Sequence, residues 1–206
     1  MPEVRHCRAP RIRTVARIES GAALDDLRFI RQTLENSTSF TAVPGWGMVG
    51  MSGVAALAAA VAWRQSGFDG WCVTWLIAAI VALSLAMLTM YRKAARAGIP
   101  LFTGAGRKFL LNFLPPLAVG ALLTLALYRA DAVQAIPGVW LLLYGTAVVS
   151  GGAFSVRIVP AMGFCFMGMG ALALLAPVAW TNLFMVAGFC GLHLVFGFLI
   201  ARKYGG

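Results

Sequence analysis

Apolar residues in this chain fall in long unbroken runs, not in the alternation of a half-buried strand or the narrow stripe of a surface helix. Six stretches free of Asp, Glu, Lys and Arg follow one another: Pro44–Trp63, Trp71–Met90, Phe109–Tyr128, Ala135–Phe154, Ile158–Trp180 and Thr181–Ile200. Each approaches the roughly 20 residues a helix needs to cross the hydrocarbon core. Only helices and closed barrels satisfy their backbone there. The pattern therefore predicts an all-α integral membrane protein, a six-transmembrane-helix bundle over residues 44–206. Residues 1–20 read as a basic, disordered tail, and residues 21–43 as an amphipathic interfacial helix with a linker. In that helix Ala23, Leu27, Ile30 and Leu34 share one apolar stripe, while Asp25 and Asp26 precede Arg28 and Arg31 as the helix dipole favours. Such a helix lies on a membrane surface, docks under the bundle, or binds a protein partner through residues 21–37.

Composition and charge sharpen this picture. Of 206 residues 60% are hydrophobic and only 12% charged, with mean hydropathy +0.82. A soluble domain carries about 25% charged residues. Residues 1–20 hold five arginines with no apolar segment directly behind them, so no secretory signal peptide is expected. If the runs are spans, fifteen basic residues fall on one side and only Arg64 and Arg129 on the other. Basic loops stay in the cytoplasm, so both termini are expected there, in an inner or plasma membrane. Trp63, Trp71, Trp75, Trp140 and Trp180 lie at the expected outer ends, at headgroup level. The basic tail and inner loops are expected to meet anionic lipid headgroups. Without interleaved aromatics or a module signature, the tail gives no reason to expect nucleic acid.

Candidate chemistry is sparse. All seven acidic residues lie outside the runs, which argues against proton-coupled transport and against an intramembrane aspartyl protease. There is no HExxH string and no CxxC pair. His193 is the one intramembrane histidine, too few for a haem held between two histidines, and no cofactor is expected. Cys190 precedes it by one helical turn, and Cys165 on the fifth run lies at nearly the same depth. Such a set, with nearby methionines, suits a soft metal such as Cu(I). The competing reading is a hydrogen-bonded core histidine with cysteines as small apolar filler. The string GMSG, Gly50–Gly53, with His193 on the sixth run, resembles the GxSG serine and sixth-helix histidine of rhomboid proteases. That resemblance implies Ser52 as nucleophile and His193 as base. Here, however, the motif stands on the first run and not the fourth, and the pair would face the cytoplasm. The alternative is a small serine that lets helices approach.

Two further places stand out by their spacing. In TGAGRK, Gly104, Gly106, Arg107 and Lys108 precede a helix and suit a phosphate or anionic headgroup, or simply mark topology. Pro115 and Pro116, with Asn112 one turn earlier, predict a kinked helix where an internal polar site would begin. A likeness between GVAALAAAVAW (Gly53–Trp63) and GALALLAPVAW (Gly170–Trp180), identical at seven of eleven positions, hints at repeated hairpins or at shared composition. Three functional classes remain. A non-enzymatic sensor, accessory or scaffold component ranks narrowly first. A carrier of a neutral or lipophilic solute follows, since no buried charge suits an ion. An intramembrane enzyme or soft-metal site around His193 ranks below both.

Overall fold

The structure, a computed structural model, describes residues 41–98, 101–102 and 104–204, together with Leu27. Leu27 is exposed; the remainder of the amphipathic segment expected over 21–37, and the tail before it, lie outside the described residues. Among the described residues all regular structure is helical: α1 (Gly45–Ala62), α2 (Phe68–Arg96), α3 (Gly104–Arg129), α4 (Ile136–Gly152), α5 (Ile158–Leu175) and α6 (Val178–Tyr204). All six are long and apolar enough to cross a membrane, α4 when its leading 3-10 turn Val133–Ala135 is included. The described residues thus form an all-helical bundle of six span-length apolar helices, as a multi-pass membrane protein requires.

Several boundaries differ from those expected, for identifiable reasons. Helix α2 runs six residues past Met90 to Arg96, because Tyr91–Ala95 contains no breaker and Lys93 and Arg96 suit a helix C-terminus. The connection between α2 and α3 is therefore short, turning at Gly98 (φ 64°) and Gly104 (φ 51°), a left-handed conformation that glycine adopts without strain. The fifth run ends at Leu175, before Trp180: Pro177 drives Ala176 into extended backbone (ψ 158°), and a 3-10 turn, Val178–Trp180, leads into the last helix. The two look-alike segments thus differ in conformation, since Gly53–Ala62 stays helical throughout and its counterpart breaks at the proline.

Packing is uneven. The closest pair is α4 with α5, where glycines seven apart on one helix face glycines seven apart on the other. A Cβ on Gly145 would stand 2.7 Å from the Gly163 carbonyl oxygen, and one on Gly170 would stand 2.8 Å from that of Gly138. Backbones this near gain dispersion contacts, the main source of helix association where lipid removes the hydrophobic drive. Helix α1 packs on α2 and on α6, the latter through Gly197, whose Cβ would lie 2.9 Å from the Gly45 oxygen. At the basic end Lys93 donates to the carbonyls of Val43 (3.1 Å) and Tyr204 (3.2 Å), tying the entry to α1 and the end of α6 onto α2. Among helices consecutive in the chain α2 and α3 are the exception: they have no extended packing against one another.

Candidate functional site

Separation of α2 from α3 opens a cleft of about 540 Å³ along the bundle. Its walls are Met48, Met51 and Ala55 from α1, Trp75, Ala79 and Met87 from α2, and Phe113, Leu117 and Ala121 from α3. Tyr144, Phe189 and His193 form its back. Ile80, Leu83 and Leu114 line it while remaining between 43% and 66% exposed, so its mouth opens outward between the helices. None of the residues lining it is Asp, Glu, Lys or Arg. The end away from Lys93 is clasped: the Tyr128 hydroxyl donates to Asp69 Oδ1 (3.0 Å) and packs its ring on Phe68. Beside that clasp Phe68 and Trp140 both stack on Trp71, at centroid separations of 5.4 and 5.7 Å. Three tryptophans expected at headgroup level thus serve differently: Trp71 and Trp75 are buried and Trp140 is partly so, whereas Trp63 and Trp180 are exposed.

Behind the cleft lies a polar pair in an aromatic box. His193 is 2% exposed, and its Nε2 lies 2.7 Å from the Tyr144 hydroxyl while Nδ1 lies 3.0 Å from the Phe189 carbonyl. Only one neutral tautomer fits: Nδ1–H donates to the carbonyl, and Nε2 accepts from the tyrosine. Phe166 meets the imidazole edge-on at 5.3 Å and Phe189 stacks at 6.2 Å. Val186–Leu192 is π-helical; the His193 amide bonds to the Cys190 carbonyl, and its ring reaches the Phe189 oxygen. The wide turn also brings Gly188 against Leu141 and Phe166, where a side chain would collide.

The other sequence candidates are dispersed. Cys165 faces outward and is exposed, and Cys190 is half-buried. Among the described residues no three His, Cys, Asp or Glu side chains are grouped to hold a metal ion. Ser52 is buried and donates to the Val49 carbonyl of its own helix (2.7 Å), while both nitrogens of His193 are engaged elsewhere, so no serine–histidine pair forms. Helix α3 runs unbroken through Pro115 and Pro116; Asn112 is exposed and donates to Lys108 O (2.8 Å). Gly104 begins α3, and Gly106 is crowded by the Leu101 backbone, so both glycines have conformational or packing reasons. Arg107 is exposed and Lys108 half-buried. A second hollow at this basic end, about 480 Å³, is bordered by Trp46, Gly47, Thr89, Arg92, Lys93 and Arg96.

Tyr144 and Trp75 were not singled out from the sequence as site residues. Tyr144 carried a signal: it is the one tyrosine at the middle of an apolar run, the depth at which a buried histidine needs a partner. Trp75 carried none, because an indole near a helix end reads as an interface anchor. Comparison of the chain with protein-family models, with curated proteins and with solved structures returned no match.

Proposed function

We propose that the protein binds a neutral lipophilic molecule taken laterally from the bilayer between α2 and α3, and carries or presents it without catalysing a reaction. The cleft between these two helices is the observation that supports this reading. Its volume lies within the roughly 300–1,000 Å³ typical of small-molecule sites. Apolar walls and an outward mouth suit a ligand that partitions into hydrocarbon, and a wall without charge disfavours an ion. An empty cleft would forfeit dispersion contacts along its lining, so hydrocarbon must fill it. The His193–Tyr144 pair serves as a spacer of fixed geometry behind the ligand, its hydrogen bonds being spent internally. The asymmetry of basic residues supports an orientation with both termini in the cytoplasm of an inner or plasma membrane. Under that orientation the hollow at Arg92 and Arg96 meets anionic headgroups, beside the Gly104–Lys108 turn.

The test is photolabelling in nanodiscs with a diazirine-bearing fatty alcohol. Adducts are expected on cleft residues such as Met87 and Phe113 in excess over Leu175, which is 87% exposed on the outside. Ala79→Trp, filling the cleft, should remove that excess. Uniform labelling of all exposed side chains would defeat the proposal. Cross-linking of α2 and α3 to another chain would support instead a partner helix seated in the cleft.

A further inference from the structure

We infer that the cleft takes a neutral single-chain lipid lengthwise, with the free end of its hydrocarbon seated in a closed pocket at the basic end; this rests on the proposed binding function and names its ligand class. Two helices give the cleft the same length. Its lining runs from Trp75 to Met90 on α2 and from Phe109 to Thr124 on α3, fifteen residues in each case, or about 22 Å at 1.5 Å per residue. One leaflet of the hydrocarbon core is about 15 Å deep, half of roughly 30 Å. An occupant that fills the cleft therefore reaches past the middle of the bilayer, further than tails that stop there. Its girth is small. A volume of about 540 Å³ spread over about 22 Å leaves a mean cross-section of roughly 25 Å², room for one extended hydrocarbon chain and too little for a fused-ring skeleton.

Burial sets the direction. On α2 the edge of the mouth is formed by Leu76 and Ile80, 44% and 66% exposed, whereas Met87, about two turns beyond Ile80 on the same face, is partly buried and Met90 is 7% exposed. On α3 Leu114 is 50% exposed, but Leu110, one turn nearer the basic end, is partly buried and Phe109 is buried. The cleft is thus open sideways over most of its length and roofed at the basic end, where the short connection joins the two helices. Met48, Met51, Met87, Met90 and Met162 line that half, and unbranched thioether side chains fit themselves to a flexible occupant. A polar head would be stranded there without a hydrogen-bond partner. The hydrocarbon end therefore enters the closed pocket, and the head stays toward the clasped end.

The experiment uses the full wild-type chain in nanodiscs and two octadecanols, one bearing a diazirine at the terminal carbon and the other beside the hydroxyl. Adducts of the terminal probe should fall on Met87, Met90 and Phe109, and those of the hydroxyl-side probe should shift to Leu76, Ile80 and Ala121. Excess unlabelled octadecanol should displace both probes from the cleft, and an excess of sterol should displace neither; no variant has to fold for these contrasts. One adduct pattern shared by both probes, a reversed pattern, or displacement by the sterol would overturn the lengthwise single-chain assignment while leaving the cleft as a lipophile site. Labelling of the cleft no greater than that of Leu175 with either probe would overturn the binding reading as well.

Discussion

Replacing Tyr144 with Phe removes one oxygen and leaves the ring in place, edge-on to Phe166 at 4.8 Å and to Phe189 at 5.2 Å. The lost bond is short, 2.7 Å, and its acceptor, Nε2 of His193, belongs to a side chain only 2% exposed. An orphaned buried acceptor costs about 1–3 kcal/mol in soluble proteins. Hydrogen bonds in membrane proteins average only about 0.6 kcal/mol and reach about 1.7, because unfolded helices find other partners in the bilayer. The aromatic box shuts such partners out of the folded state, so Tyr144→Phe is expected near the upper membrane value, about 1.5 kcal/mol. His193→Phe keeps a ring in the box but strands both the Tyr144 hydroxyl and the Phe189 carbonyl, and should cost about 2–3 kcal/mol. In the double variant the tyrosine–histidine mismatch disappears. Its loss should therefore fall short of the summed single losses by about 1 kcal/mol or more. Reversible unfolding in mixed micelles titrated with SDS measures all four proteins. Additivity within about 0.3 kcal/mol would refute the coupling and with it the buried hydrogen bond.

Other expectations follow from particular contacts. Gly145→Val and Gly163→Val press side chains onto backbone of the facing helix and should each destabilise by about 2–3 kcal/mol in the same assay, whereas Gly168→Val, with nothing within 4 Å, should change stability little. Arg92→Gln with Arg96→Gln should lower retention of anionic lipid, seen by native mass spectrometry, and leave zwitterionic lipid unchanged; equal retention would detach the basic hollow from headgroup binding. In a background lacking native cysteines, Ser66→Cys should react with an impermeant thiol reagent applied outside and Thr103→Cys should not; the opposite result would reverse the proposed orientation.

Segment number and class were legible along the chain because the signal is additive: 20 apolar residues in succession report a span wherever their partners lie. Charge asymmetry is likewise a sum over loops, and the orientation it leads one to expect makes no reference to packing. Pro177 marked a true break, since the stop at Ala176–Pro177 follows from one residue's missing N–H and its ring, whereas Pro115 and Pro116 did not interrupt α3. What the chain could not declare was which faces meet. The runs are apolar on every side, so no stripe tells a bundle-facing leucine from an outward one, and α2 and α3 look as packable as α4 and α5. Tertiary structure decided that glycines of α4 and α5 interlock, that α2 and α3 stand apart, and that a π-helical turn presents the Phe189 carbonyl to His193. It also left Cys165 exposed while burying His193, and withdrew Ser52 into its own helix, because equal depth in a bilayer does not place two side chains on facing sides of their helices. The unpartnered indole of Trp75 belongs to the same class of fact: hydrogen-bond satisfaction is a property of neighbours, and neighbours are chosen only when the helices assemble.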